Sequence, residues 1–203
     1  MIFRRWKEIN ISNKLTVFRI ALVPLIAFLL TLENFNFKYL IAGILFLLAS
    51  YTDYLDGKLA RKNNLITPFG QIMDPLADKI LICSVMVCFV SDGLISALAA
   101  ILIIFREFLI TSIRFLIFKS NGAVIPANIL GKLKTISQMT SITVIFAVKA
   151  LSEISSCFCD FVSDNFIYIY TLENILIWIS VAFSCVSGIV YIYLNRKSIC
   201  TDL

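Results

Sequence analysis

The chain is 203 residues long, 60% hydrophobic and 15% charged, with a formal net charge of +5. About a quarter of an ordinary soluble domain is charged, so this composition excludes that class and points to lipid surroundings. The positive balance is not a nucleic-acid footprint, because the cations flank apolar runs and leave no basic surface of their own.

At this length one domain, residues 1–203, is the default expectation. At the N-terminus Ile2, Trp6 and Ile9 share one helical face, with Arg4, Arg5 and Lys7 largely elsewhere. Either a short helix lies on an anionic membrane surface here, or the segment is a charged flank of the first span. Apolar stretches follow at Leu15–Leu32, Tyr39–Asp56, Phe69–Val90, Ile95–Phe118, Thr135–Leu151 and Ile175–Leu194. Each is near the ~20 residues that cross a ~30 Å hydrocarbon core. The first is followed by Glu33, Asn34, Phe35 and Asn36, which offer no small-residue cleavage site, so it reads as a span rather than a signal peptide. Lys58–Thr67 is a basic interruption, and Ser152–Asn165 an acidic one that reads as a linker. Tyr168, Tyr170 and Trp178 before or early in the last span, and Tyr191 and Tyr193 near its end, fit interfacial aromatic belts. Lipid leaves no partner for open backbone groups, so the expected fold is an all-α integral membrane bundle of about six transmembrane helices.

Arg4, Arg5, Lys7, Lys14, Lys58, Arg61, Lys62, Lys119, Lys132, Lys134, Arg196 and Lys197 fall on one side of these spans, and Lys38 and Lys149 on the other. By the positive-inside rule both termini and the connections at 57–70 and 119–134 face the cytoplasm, in a multi-pass protein of the cytoplasmic (inner) membrane. The chain has six cysteines and no histidine. Cys83, Cys88 and Cys185 read as small packing residues, while Cys157 and Cys159 suit neither a mutual disulfide nor a zinc site.

Carboxylates inside apolar runs are the anomaly. Asp53 and Asp56 stand at i, i+3, with Gly57 and Ala60 continuing the stripe at i+4 and i+7; Gly70, Asp74 and Asp78 repeat at i, i+4, i+8 on the next run. Two successive helices joined by a short loop run antiparallel, so the pairs are expected to face each other near the cytoplasmic end. Each carboxylate costs about 2.5–3.5 kcal/mol at a membrane helix centre, so the four demand a polar interior. Their mutual repulsion demands cations as well. Lys79 and Arg61 can serve in part, but an all-oxygen donor set suits two divalent ions, Mg²⁺ or Mn²⁺. Metal held by carboxylates is an arrangement for phosphoryl transfer, in which one carboxylate takes a proton from an attacking hydroxyl. Arg61, one turn past Gly57, is placed for a bidentate phosphate contact. The competing reading is an ion or proton transporter. That class spreads its charges along a path, whereas here they gather at one end and the last span has none.

These residues resemble the signature of the CDP-alcohol phosphatidyltransferase family, D-x2-D-G-x2-A-R-x8-G-x3-D-x3-D. All its fixed positions are present as Asp53, Asp56, Gly57, Ala60, Arg61, Gly70, Asp74 and Asp78. The resemblance implies that Asp53, Asp56 and Asp74 ligate two metals, with Asp78 touching one ion and acting as base. It implies that Gly57, Ala60, Arg61, Thr67 and Gly70 belong to the site for the CDP-diacylglycerol donor. Asn13 and Thr16 resemble a nucleotide-contacting P-N-x-x-T motif in which Ser12 replaces the proline. It also implies a homodimer. The segments around Asn13–Arg19, Arg106-Glu107 with Arg114, and Gly131–Thr135 with Gln138 resemble family members whose acceptor is sn-glycerol 3-phosphate. A phosphorylated acceptor needs a second cationic subsite, for which Arg106, Arg114, Lys132 and Lys134 are candidates. Alternatively, Arg106 pairs with Glu107 or Asp74, and Lys132 and Lys134 merely flank the fifth span. Serine, inositol or its phosphate, and phosphatidylglycerol remain rival acceptors.

Overall fold

The computed structural model describes residues 11–33, 35–63, 68–121 and 129–200, and every element among the described residues is helical. These are α1 (Ile11–Thr31), α2 (Lys38–Asn63), α3 (Pro68–Ser91), α4 (Ala97–Asn121), α5 (Ile129–Ile154), α6 (Ser156–Asp164) and α7 (Phe166–Cys200). The expected apolar stretches map onto α1 to α5 and α7. Among the described residues, two helical stretches, Ile129–Ile154 and Phe166–Arg196, are long and apolar enough to cross a membrane; α1 and α2 contribute shorter apolar segments, Leu15–Thr31 and Lys38–Thr52. The N-terminal segment with Ile2, Trp6 and Ile9 lies outside the described residues.

The chain forms two compact units, one of Met1–Cys88 with Phe146–Cys159, the other of Phe89–Ile145 with Asp160–Leu203. In the first, α1 packs along α2. Leu22, Val23, Ile26 and Leu30 are buried on α1, and Ala42, Phe46 and Ala49 on α2, each set at helical spacing. Gly43 permits close approach of the end of α5: a Cβ there would stand 3.2 Å from Phe146 Cβ, and the Phe46 and Phe146 rings lie 5.6 Å apart. The two oxygens of Glu153 accept the backbone N–H groups of Tyr39 and Leu40, each at 3.0 Å. These are donors the first turn of α2 cannot satisfy itself, and the carboxylate also complements the helix dipole.

In the second unit α4 packs against α7, with Ala99, Ala100, Ile103 and Ile110 of α4 and Ile177 and Val181 of α7 buried. Where α3 ends, Leu94 N–H bonds to Phe89 O at 2.8 Å and Gly93 N–H to Val90 O at 3.0 Å. Gly93 adopts φ +70°. This is a Schellman termination, which needs a residue that tolerates the left-handed conformation.

The Ser152–Asn165 stretch, expected as a linker, contains α6. Ser155 Oγ accepts the Phe158 N–H at 3.3 Å, an N-cap, and Val162 is buried. The cap and the buried Val162 hold one short helix in a segment whose charge reads as a loop.

Candidate active site

The acidic motif belongs to the first unit. α2 continues unbroken through Asp53, Asp56, Gly57, Ala60 and Arg61, and α3 through Gly70, Asp74 and Asp78. With both segments helical, the spacings place the backbone positions of each set along one helical face. The side chains at 53–63, 68–72 and 74, that of Asn13, and the whole of Thr67 lie outside the described residues. Asp78 is described and half-buried on α3, next to the fully buried Ala77.

Thr16 is fully buried on α1, and so is Arg19 one turn later. Arg19 Nε donates to the Ala49 carbonyl at 3.3 Å, and Thr52 Oγ1 donates to the same oxygen at 2.7 Å. In a continuous helix that oxygen is also the acceptor for the Asp53 N–H. Arg19 and Thr52 therefore fasten the turn of α2 from which the first carboxylate springs. Neither carried a role on sequence grounds, although an arginine in an apolar run is itself a signal, since it must find a polar interior.

The cationic candidates all belong to the second unit, and the structure separates them. Lys134 is buried and forms an ion pair with Glu107 Oε1. Arg106 Nη1 lies 3.3 Å from the same oxygen, while Arg106 Nε donates to Ser184 O at 3.0 Å and Nη2 to Ser187 Oγ at 2.7 Å. Gly188 leaves room for this: a Cβ there would stand 3.3 Å from Arg106 Cγ and Nε. Arg106, which is partly buried, joins the buried Glu107 and Lys134 in one cluster, in which Arg106 meets Glu107 as one of the two sequence readings had it. Lys132, two residues from Lys134 on α5, is exposed. Arg114 is also exposed, with its guanidinium 5.6 Å from the centre of the Tyr191 ring. Helical phase divides the two lysines, since neighbours at i, i+2 do not share a face.

Buried polar groups continue beyond this cluster. Gln138 and Ser141 are buried on α5, and Glu173, Ser180, Ser184 and Ser187 on α7. Ser141 Oγ donates to Leu176 O at 3.0 Å, joining the two helices. Sequence reading passed over α7 because its apolar run has no charge. The serines at 180, 184 and 187 repeat at i, i+4, i+7 and were the available signal.

Asp53, Asp56, Asp74 and Asp78 offer only carboxylate oxygens, a donor set that fits Mg²⁺ or Mn²⁺ and disfavours softer metals. Among the described residues no three acidic, cysteine or histidine side chains gather; three of the four aspartate side chains fall outside that set.

A helical chain with this aspartate pattern defines a class. Residues 9–186 match the CDP-alcohol phosphatidyltransferase family model, and the chain belongs to that family. It is 34% identical to the CDP-diacylglycerol–glycerol-3-phosphate 3-phosphatidyltransferase of Bacillus subtilis, over 95% of this chain and 98% of that protein. It is 32% identical to the Rickettsia bellii protein of the same name, over 93% of this chain and 96% of the relative. A CMP-forming cardiolipin synthase of rice is 36% identical over 70% of this chain, which covers 46% of that protein.

Proposed function

We propose that the protein transfers the phosphatidyl group of CDP-diacylglycerol to sn-glycerol 3-phosphate, giving phosphatidylglycerol phosphate and CMP. The observation that carries this reading is similarity over nearly the whole of both chains to relatives named for that reaction. The similarity to a cardiolipin synthase covers less of each chain.

In this reading a hydroxyl of the acceptor gives its proton to the Asp78 carboxylate as its oxygen attacks the β-phosphorus of the donor. The new phosphorus–oxygen bond forms as the bond to CMP breaks, and CMP leaves with the electron pair. Two divalent ions, held by Asp53, Asp56, Asp74 and Asp78, would neutralise charge on the transferring phosphate and the departing CMP. Asn13, Thr16, Gly57, Ala60, Arg61, Thr67 and Gly70 hold the donor, the glycine leaving space for close approach and Arg61 pairing with phosphate. Lys134 and Arg106 take the acceptor's phosphate, with the exposed Lys132 and Arg114 attracting it from solvent. Glu107 leaves this group of cations a net positive charge.

The protein acts as a single catalytic domain in the cytoplasmic membrane, with about six spans, both termini inside, and two copies associated. Two observations support the lipid setting. Ile101, Phe105 and Ile189 on α4 and α7 are more than 60% exposed, while carboxyl and hydroxyl side chains of the same helices are buried. That inversion suits a hydrocarbon solvent.

The test is CMP release by purified protein supplied with CDP-diacylglycerol, Mg²⁺ and one acceptor at a time. Release with glycerol 3-phosphate and not with serine, inositol or phosphatidylglycerol is the expected outcome. Release with one of the others in its place refutes the acceptor assignment.

A further inference from the structure

Gln138 is 1% exposed, and neither its amide oxygen nor its amide nitrogen has a hydrogen-bond partner among the described residues. Ser180 and Ser184, both fully buried, have hydroxyls in the same condition. A buried amide needs partners for a carbonyl and an NH₂ group, and such groups are rarely left unmet in a folded protein. Buried groups of this kind are met by water or by a polar ligand.

The register of α5 and α7 shows where this cluster lies. Ser141 of α5 bonds to Leu176 of α7. Further back along α5, Lys134 joins Glu107, whose neighbour Arg106 reaches forward along α7 to Ser184 and Ser187. The ties run in opposite order along the two helices, and Gln138 lies between them on α5 as Ser180 does on α7. It is also one helical turn from Lys134 on the same face of α5, about 5–6 Å between Cβ atoms. That separation matches a small phosphomonoester whose phosphate meets the lysine and whose carbon chain carries a hydroxyl beside the amide.

We infer that Gln138 is a specificity-determining residue of the acceptor site, hydrogen-bonding the secondary hydroxyl of a phosphorylated polyol whose phosphate is held at Lys134. The amide oxygen accepts from that hydroxyl and the NH₂ group donates to it, with the Ser180 hydroxyl beside them. The inference rests on the proposed reading of Lys134 as a phosphate-binding residue. It goes further by assigning the discrimination between acceptors to an uncharged residue one turn away. A phosphate contact alone accepts any small phosphomonoester, whereas a buried amide built to meet a hydroxyl rejects an analogue lacking it.

The experiment compares two acceptors, glycerol 3-phosphate and 3-hydroxypropyl phosphate, which lacks only the secondary hydroxyl. The wild-type enzyme is expected to favour glycerol 3-phosphate in kcat/KM by roughly ten- to a hundredfold, the span expected when a buried partner is left unmet. Gln138→Leu should bring this ratio close to one, mainly through glycerol 3-phosphate, with the KM for CDP-diacylglycerol unchanged. Because the readout is a ratio of two acceptors on one preparation, partial loss of folded enzyme does not move it, and Gln138→Met provides a second apolar replacement. A variant in which both acceptors decline in the same proportion, or a wild-type ratio already near one, overturns the inference. Lys134→Met separates the layers. It should raise the KM for both acceptors alike and preserve their ratio. If it leaves both unchanged while Gln138→Leu also leaves the ratio intact, the phosphate reading fails together with the inference.

Discussion

Replacing Glu107 by alanine removes a carboxylate that Lys134 and Arg106 share. The Lys134 and Glu107 side chains are 7% and 6% exposed, so the lysine left behind has little access to water. Breaking a buried pair by deleting one partner costs about 3–5 kcal/mol, because the remaining charge is desolvated and uncompensated. Arg106 is less affected, since it keeps Ser184 O and Ser187 Oγ. For a chain of this length each kcal/mol moves the midpoint by about 2–4 °C, so Glu107→Ala should lower Tm by about 6–20 °C. Thermal unfolding of detergent-solubilised protein, followed by tryptophan fluorescence, measures this. The double variant Glu107→Ala/Lys134→Met should recover much of the loss, because it removes the buried lysine charge along with its carboxylate partner. Raising the salt concentration should change the shift little, as a buried pair is weakly screened. A shift below about 2 °C in the single variant, or simple additivity in the double, would refute the claim that this cluster is a desolvated charge pair.

Asp78→Asn should lower kcat by about 10²–10⁴-fold, the usual contribution of a general base, with the KM for CDP-diacylglycerol little altered; steady-state CMP release reads both, and retained kcat contradicts the role. Gly43→Leu would drive a side chain into Phe146 and should cost about 1–3 kcal/mol, seen as a lower Tm with normal kinetics in the surviving protein. Chelation with EDTA should abolish CMP release and Mg²⁺ or Mn²⁺ should restore it, as an all-carboxylate donor set requires; full activity in EDTA contradicts metal dependence.

Much of the helical layout was legible because an apolar run of span length admits one regular structure in lipid. The aspartate pattern was legible because its spacing is helical and its charges are costly where they lie. What escaped depends on groups brought together from distant parts of the chain. Arg106 was visible as a charge within an apolar run, but two of its partners, Ser184 and Ser187, come from a helix with no charge in its apolar segment. Serine is an ordinary residue in a membrane helix and betrays its partner only through spacing. Lys132 and Lys134 look equivalent in the sequence; helix phase buries one and exposes the other. Arg19 was noticed only as part of a resemblance, and its bond to Ala49 O, the carbonyl one turn ahead of Asp53, needed the packing of α1 on α2 to be seen. Helix α6 was missed because Asp160, Asp164 and the polar residues around them outweigh the signals of Ser155 and Val162.

The most direct test of the central claim is the mass of the lipid product. Purified protein in bilayers containing CDP-diacylglycerol of defined acyl chains is given Mg²⁺ and a mixture of glycerol 3-phosphate, serine and inositol. The account predicts phosphatidylglycerol phosphate, formed in step with CMP and lost in Asp78→Asn. Phosphatidylserine or phosphatidylinositol as the product would contradict it.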